Sequence, residues 1–381
     1  MELKIKQRIS LSAYFFLSGV CFATWASRIP TIKIFYNLNE AELGNLLFIM
    51  PISSLIGLPF SGWLVSKFNS RNPLIVSFIF YSLALFFIGY SNNILFLSVS
   101  LFLFSFSMRI INIAINTQSI ALQNTFQKKI IGSFHGLWSL GGLIGVGFST
   151  LMVKFDVTMK HHLLIIAIFS LTIALISYQF LMKSDKPTTG NKLIIGKPDT
   201  FILLLGILVF LAAVCEGGMF DWSGVYFKEV IKEDVFTLGY FIFMFFMAFS
   251  RFVSDKIIDV IGMKKAYVIS ATFISSGISM VIIFPYFWPA IIGFSLVGIG
   301  VAAIIPMTYA LAGKSKKYSA GLIVSIITTY GIVGMLLGPP LVGYLAHLFN
   351  LKTAFVLFLI SGLLIIPISQ LFFNTQKDAM K

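Results

Sequence analysis

The sequence predicts an all-α membrane protein: twelve transmembrane helices in two pseudo-symmetric six-helix bundles. Three observations carry that reading. Of 381 residues, 58% are hydrophobic and only 11% charged, with a mean hydropathy of +0.94; a soluble domain carries roughly 25% charged residues. Apolar runs long enough to cross about 30 Å of hydrocarbon recur twelve times. One long polar interval, MKSDKPTTGNKLIIGKP at 182–198, follows the sixth run and halves the chain.

In order, the first six spans fall near 10–33, 43–65, 73–91, 94–122, 134–153 and 162–182. The next six fall near 200–227, 237–257, 266–284, 287–312, 319–346 and 353–373. Residues 1–182 therefore form one six-helix bundle, 183–198 a linker rich in Lys, Pro, Thr and Gly, and 199–381 a second bundle. The runs are unbroken, whereas a β-barrel strand alternates over about ten residues. The basic start MELKIKQRIS leads into an apolar run that continues through Trp25 without a small-residue cleavage site, so it reads as the first span.

The net charge of +14 is topological. Of 28 Lys and Arg, nineteen fall in loops on the side of the N-terminus and seven on the other, leaving Arg109 and Arg251 inside spans. The positive-inside rule then puts both termini in the cytoplasm. This placement argues against a nucleic-acid surface. Cys21 and Cys215 both lie in apolar runs and have neither disulfide nor metal-ligand spacing. There is no GxSxG elbow, Walker loop or HExxH, so neither an enzyme nor a cofactor or metal site is expected.

Two stretches echo each other. AELGNLLFIM opens span 2, FTLGYFIFMF opens span 8, and each precedes a basic loop by about twenty residues. The first loop, GWLVSKFNSR from Gly62 to Arg71, resembles the cytoplasmic signature G-x-x-x-D-[RK]-x-G-x-[RK] of the major facilitator superfamily. Ser66 stands where Asp is usual and Asn69 where Gly is usual. The second, DKIIDVIGMK, fits when aligned on either Asp255 or Asp259. Lys67, Arg71, Asp255, Asp259 and Lys264 are accordingly the candidate cytoplasmic gate, a latch in which helix-end carboxylates meet basic loop residues. The glycines of span 5 (Gly136, Gly141, Gly142, Gly145, Gly147) and span 11 (Gly331, Gly334, Gly338, Gly343) suit close helix approach and surfaces that rock during transport. Pro339 and Pro340 permit a bend in span 11.

Five stretches resemble one bacterial branch of the superfamily, the fucose-permease-like inner-membrane transporters. They are WASRIPTIK, NIAINTQSIAL, FHGLWSLGG, CEGGMFDWSGVY and GPPLVGYLA. The resemblance covers nearly the whole chain and implies a secondary active transporter in which spans 1, 4, 7 and 10 line a central cavity. It implies no substrate. The acidic residue expected near Asn112 in relatives is absent, which argues against a proton carrier in span 4.

Charged groups inside spans are the candidate functional residues, because an ionised side chain in hydrocarbon costs several kcal/mol and marks a pathway or a pair. Glu216 and Asp221 lie in span 7. At about 1.5 Å per residue, Glu216 sits roughly 24 Å from the cytoplasmic face and Arg28 in span 1 roughly 27 Å. This predicts that Arg28 pairs with Glu216 or Asp221. Gly217 and Gly218 suggest a helix break beside Glu216. Desolvation favours the protonated acid and a nearby arginine the ionised one, so Glu216 is the expected proton carrier, with Asp221 structural or a gate. Arg109, Asn112 and Asn116, spaced three and four apart, share one face of span 4 and are expected to contact substrate. Trp25, Trp222 and Tyr309 complete the expected substrate-binding set together with Arg28.

The resulting expectation is proton-coupled uptake of a small polar solute, a sugar or an organic anion, by a monomer in the bacterial inner membrane. The alternatives are an efflux carrier for an amphipathic compound and a non-transporting receptor on the same fold.

Overall fold

The computed structural model describes residues 2–126, 130–183, 200–312 and 320–378. Every regular element among the described residues is a helix. The helices are α1 (Leu3–Ala26), α2 (Ile29–Phe35), α3 (Glu40–Phe68), α4 (Arg71–Tyr90), α5 (Ile94–Gln123), α6 (Ile131–Lys154) and α7 (Met159–Tyr178). They continue as α8 (Thr200–Glu229), α9 (Thr237–Ile261), α10 (Met263–Ile283), α11 (Phe287–Ala312), α12 (Ala320–Leu348), α13 (Leu351–Ala354) and α14 (Val356–Asp378). Twelve segments are long and apolar enough to cross a membrane, with α1 and α2 forming the first and α13 and α14 the last. The expected linker, the basic loop at 314–317 and Lys128 lie outside the described residues.

The chain divides into two compact units. One comprises Met1–Asn37 with Ile49–Asn191, the other Leu38–Phe48 with Lys192–Lys381. The division differs from the sequence-based boundary only at 38–48. There the Tyr344 hydroxyl donates to Asn45 Oδ1 at 3.0 Å, and Gly44 lies against Pro339, Pro340 and Gly343.

The same pairings recur in the two units. In the first, α1 packs on α6 and α7, and α4 on α5 and α7. In the second, α8 packs on α12 and α14, and α10 on α11 and α14. By span number, these are identical sets, which is the internal repeat that the twin basic loops foreshadowed.

Glycine makes the closest of these pairings possible. A Cβ on Gly19 would stand 2.1 Å from the Trp138 carbonyl oxygen, and one on Gly141 2.1 Å from that of Phe16. In the second unit, a Cβ on Gly334 would meet the Phe210 carbonyl oxygen at 2.6 Å. Backbones in such contact gain dispersion that lipid tails cannot supply. Gly141 and Gly145 of span 5 thus hold α1 to α6, and Gly331 and Gly334 of span 11 hold α8 to α12.

Polar side chains tie the bundles internally. Tyr14 donates to the Ala174 carbonyl at 2.7 Å, Tyr226 to that of Val281 at 2.8 Å, and Tyr267 and Thr308 share a hydrogen bond of 2.7 Å.

One expected interruption is absent. Helix α8 runs unbroken through Gly217 and Gly218. Their lack of a Cβ makes room for neighbours, since a Cβ on Gly218 would lie 2.2 Å from the Phe358 ring and one on Gly217 3.3 Å from Met335. Helix α12 carries Pro339 and Pro340 within its length. The break that does occur is in span 1, where Arg28 (φ −102°, ψ 4°) separates α1 from α2 and Pro30 opens the new helix.

Candidate functional site

In the second unit, the polar site is built on the seam between α8 and α9. Four residues of α8 at helical spacing, Glu216, Phe220, Ser223 and Phe227, face α9. Phe220 meets Tyr240 and Phe243 edge-on at centroid distances of 5.9 and 5.7 Å, and Gly239 packs against Phe227 and the Ser223 carbonyl. At one end of this seam, Arg251 Nη2 donates to Glu216 Oε1 at 3.0 Å. Glu216 is buried and Arg251 half-buried.

Further polar groups converge on Glu216. Tyr240 of α9 and Tyr309 of α11 both lie within its electrostatic reach, and Tyr240 is also within reach of Asp221. Tyr309 shares a hydrogen bond of 3.1 Å with Thr328 of α12. The Tyr240 hydroxyl is buried and has no hydrogen-bond partner among the described residues; Thr237 Oγ1 and Ser223 Oγ on the same seam also lack one. Orphaned buried hydroxyls are uncommon and call for a water, an ion or a ligand. Asp221 is half-buried, 140° around the helix from Glu216 at 100° per residue.

The described partners of Arg28 lie within its own unit. In the first unit its Nε donates to His162 Nδ1 at 3.0 Å and its Nη2 to the Val157 carbonyl at 2.7 Å. His162 Nδ1 is therefore an acceptor, so Nε2 carries the proton and faces Ser149 Oγ at 3.4 Å. Arg28 and His162 are 4% and 0% exposed, so this chain ties the break in span 1 to the turn between α6 and α7. The described partner of Glu216 is likewise in its own unit, Arg251. Depth along a helix follows from residue counting, but the direction in which a side chain points depends on where neighbouring helices lie.

The span-4 stripe is borne by α5. Arg109 Nε donates to Ser54 Oγ of α3 at 2.7 Å, and Asn116 Nδ2 donates to the Asn112 carbonyl at 2.7 Å. All three stripe residues are half-buried. Trp25 and Trp222 are 1% and 0% exposed; Trp25 lies against Phe104 at 6.4 Å, and the Trp222 indole N–H has no hydrogen-bond partner among the described residues.

The two basic loops share one backbone feature. Asn69 has φ 58° and Gly262 φ 80°, left-handed values that favour glycine and tolerate asparagine. This equivalence aligns Ser66 with Asp259 and selects the Asp259 register for the second loop. Around the loops, Arg71 donates to the Tyr178 carbonyl at 3.3 and 3.2 Å and stacks over the Tyr178 ring. Lys67 lies over Trp63 and Phe68. Asp259 is exposed, Lys264 donates to Asn374 Oδ1 at 3.5 Å, and the Asp255 side chain lies outside the described residues. No group of three or more potential metal ligands occurs among the described residues.

A family model described as Major Facilitator Superfamily matches residues 11–275 and 256–381. The chain belongs to the major facilitator superfamily. Among superfamily relatives, it is 29% identical over 354 residues to an uncharacterized MFS-type transporter of Yersinia pestis, covering 92% of both chains. It is 30% identical over 370 residues to the membrane protein MosC of Rhizobium meliloti, covering 96% of this chain and 89% of the other. The nucleoside transporter NupG shares the superfamily fold at a TM-score of 0.75 and 15% identity, with 99% and 100% of the chains covered. A bacterial homolog of the human lysosomal transporter Spinster does so at 0.75 and 13%, with 98% of each covered.

Arg251, Tyr240, Ser54 and His162 are the site and support residues that sequence reading passed over. Arg251 carried a usable signal, because FFMAFSRFV places a guanidinium in hydrocarbon at the same cost that singled out Glu216. Ser54 and Tyr240 carried none.

Proposed function

We propose that this membrane protein is a secondary active transporter that takes up a small polar solute, most suitably an organic anion, together with a proton. The observation that supports this reading is the buried ion pair of Glu216 and Arg251, with two tyrosines in reach and orphaned hydroxyls along the same helix seam. An ion pair in a low-dielectric site is stable only while both members stay charged, and removing one charge exposes the other. An anion arriving at Arg251 displaces Glu216, and the released carboxylate then takes up a proton. Solute and proton are therefore gained together, which is symport.

Arg109 strengthens the case for an anionic or hydroxyl-rich solute. Its hydrogen-bond partner, the Ser54 hydroxyl, carries no charge, so its positive charge remains available. Asn112 and Asn116 add amide groups on the same face of α5. In this proposal Asp221 is a second acid of the proton-coupling set. The chain works as a monomer in the bacterial inner membrane with both termini in the cytoplasm, by alternating access. The loops at Lys67, Arg71, Asp259 and Lys264 belong to its cytoplasmic gate.

The test uses purified full-length protein. A thermal-shift screen against organic acids, sugars and nucleosides finds the ligand, since binding to the folded state alone raises the melting temperature. Uptake of that ligand into proteoliposomes is then followed with and without an imposed proton gradient. Glu216→Gln is expected to abolish gradient-driven accumulation while exchange of solute across the membrane persists. Undiminished accumulation in this variant removes Glu216 from proton coupling.

A further inference from the structure

The second unit carries a cavity unrelated to the α8–α9 seam. It has a volume of about 570 Å³ and is lined by Ile261, Gly262, Lys264, Lys265, Val268, Ile269 and Gln370. This is within the range of small-molecule sites, about 300–1,000 Å³. We infer that it is a binding site for one anionic phospholipid, with the headgroup phosphate held by Lys264 and Lys265 and an acyl chain lying along Val268 and Ile269.

The lining is divided by chemistry along the helix axis. Lys264 and Lys265 occupy the first turn of α10, and Val268 and Ile269 stand one turn further along the same face. A charged end followed by an apolar wall is the pattern of an amphiphile, and a small hydrophilic anion would leave the apolar half unused. No carboxylate is among the described lining residues, so the two ammonium groups are not neutralised within the cavity.

The position fits a lipid as well. Gly262, at φ 80°, ends α9 and begins α10, which places the cavity at an end of the spans, where headgroups lie. Helix α10 has no side-chain cap, so its first N–H groups add to the positive field of the lysines. Lys264 also reaches Asn374 of α14, so the head end of the cavity lies between two spans. The apolar end opens outward, with Ile269 42% exposed. In a bilayer such a surface is covered by acyl chains.

The occupant is tested by native mass spectrometry and melting temperature of the full-length protein in neutral detergent. Phosphatidylglycerol is compared with phosphatidylcholine of the same acyl chains, and inorganic phosphate and glycerol 3-phosphate are added in separate arms. Phosphatidylglycerol is expected to bind as a single retained molecule and to raise the melting temperature, while phosphatidylcholine does neither. The double variant Lys264→Ala/Lys265→Ala should weaken phosphatidylglycerol binding about thirtyfold, given the usual contribution of two basic residues near an anionic headgroup. Lys264→Arg/Lys265→Arg should retain it. Val268→Trp, which fills the apolar end and keeps both lysines, should also weaken it. It serves as the deciding variant if the alanine pair does not fold. Equal binding of phosphatidylcholine, unchanged binding in the alanine pair, or full competition by inorganic phosphate each overturns the inference, the last by assigning the cavity to a free anion.

Discussion

Glu216 and Arg251 face each other at 3.0 Å across the seam of two neighbouring spans, each supplying the counter-charge that lets the other sit in a membrane. Breaking a buried pair by removing one member costs about 3–5 kcal/mol, whereas removing both is close to neutral. Glu216→Gln and Arg251→Gln are therefore each expected to lower the melting temperature of the purified protein. The double variant should recover most of that loss while remaining unable to accumulate solute. Additive destabilisation in the double variant would show that the two side chains are not coupled.

The Arg28–His162 contact serves stability. His162→Ala leaves the Arg28 Nε without its acceptor, and an unsatisfied charged donor costs about 1.5–3 kcal/mol. The expected outcome is a lower melting temperature with an unchanged dependence of uptake on the proton gradient. Unfolding followed by circular dichroism, alongside proteoliposome uptake, separates the two effects. A variant with normal stability and altered coupling would move His162 into the transport pathway.

Arg109 should behave in the opposite way. Its guanidinium is half-buried and its hydrogen bond goes to Ser54, a partner whose loss leaves no buried anion behind. Arg109→Gln is expected to lose at least tenfold in solute affinity, read by the ligand-induced thermal shift, with about 1 kcal/mol or less change in stability. Arg109→Lys keeps the charge but not the planar fork and should be intermediate. Equal affinity in all three proteins would place Arg109 among helix-packing residues.

The fold was legible because each span is decided locally. A run of about twenty apolar residues has no alternative but to cross the bilayer as a helix, and the runs read from composition coincide with the helical spans. The site was legible only in part. Hydrocarbon makes a lone charge conspicuous, so Glu216 and Arg109 stood out. That Arg251 faces Glu216 depends on azimuth and on which span lies next to α8. The break in span 1 escaped for a similar reason. It is held by Arg28 reaching residues 129 and 134 positions away, a contact with no local signature. The glycine pair beside Glu216 was read as a helix break because a glycine that loosens a helix and one that makes room for a ring look identical in sequence.

That last ambiguity gives a decisive test. A methyl group at position 218 would lie 2.2 Å from the Phe358 ring, well inside contact distance. If the glycine is there for space, Gly218→Ala should destabilise by about 1–3 kcal/mol through overpacking. Phe358→Ala alone should cost about 3–5 kcal/mol through the cavity it leaves. Because the added methyl group fills part of that cavity, the double variant should be more stable than the sum of the single changes allows, and transport should follow stability. A hinge role predicts a different pattern. Gly218→Ala would then leave the melting temperature unchanged, slow transport by stiffening α8, and show no rescue from Phe358→Ala. Thermal unfolding of the four proteins in detergent, with uptake rates in proteoliposomes, separates the two roles of Gly218.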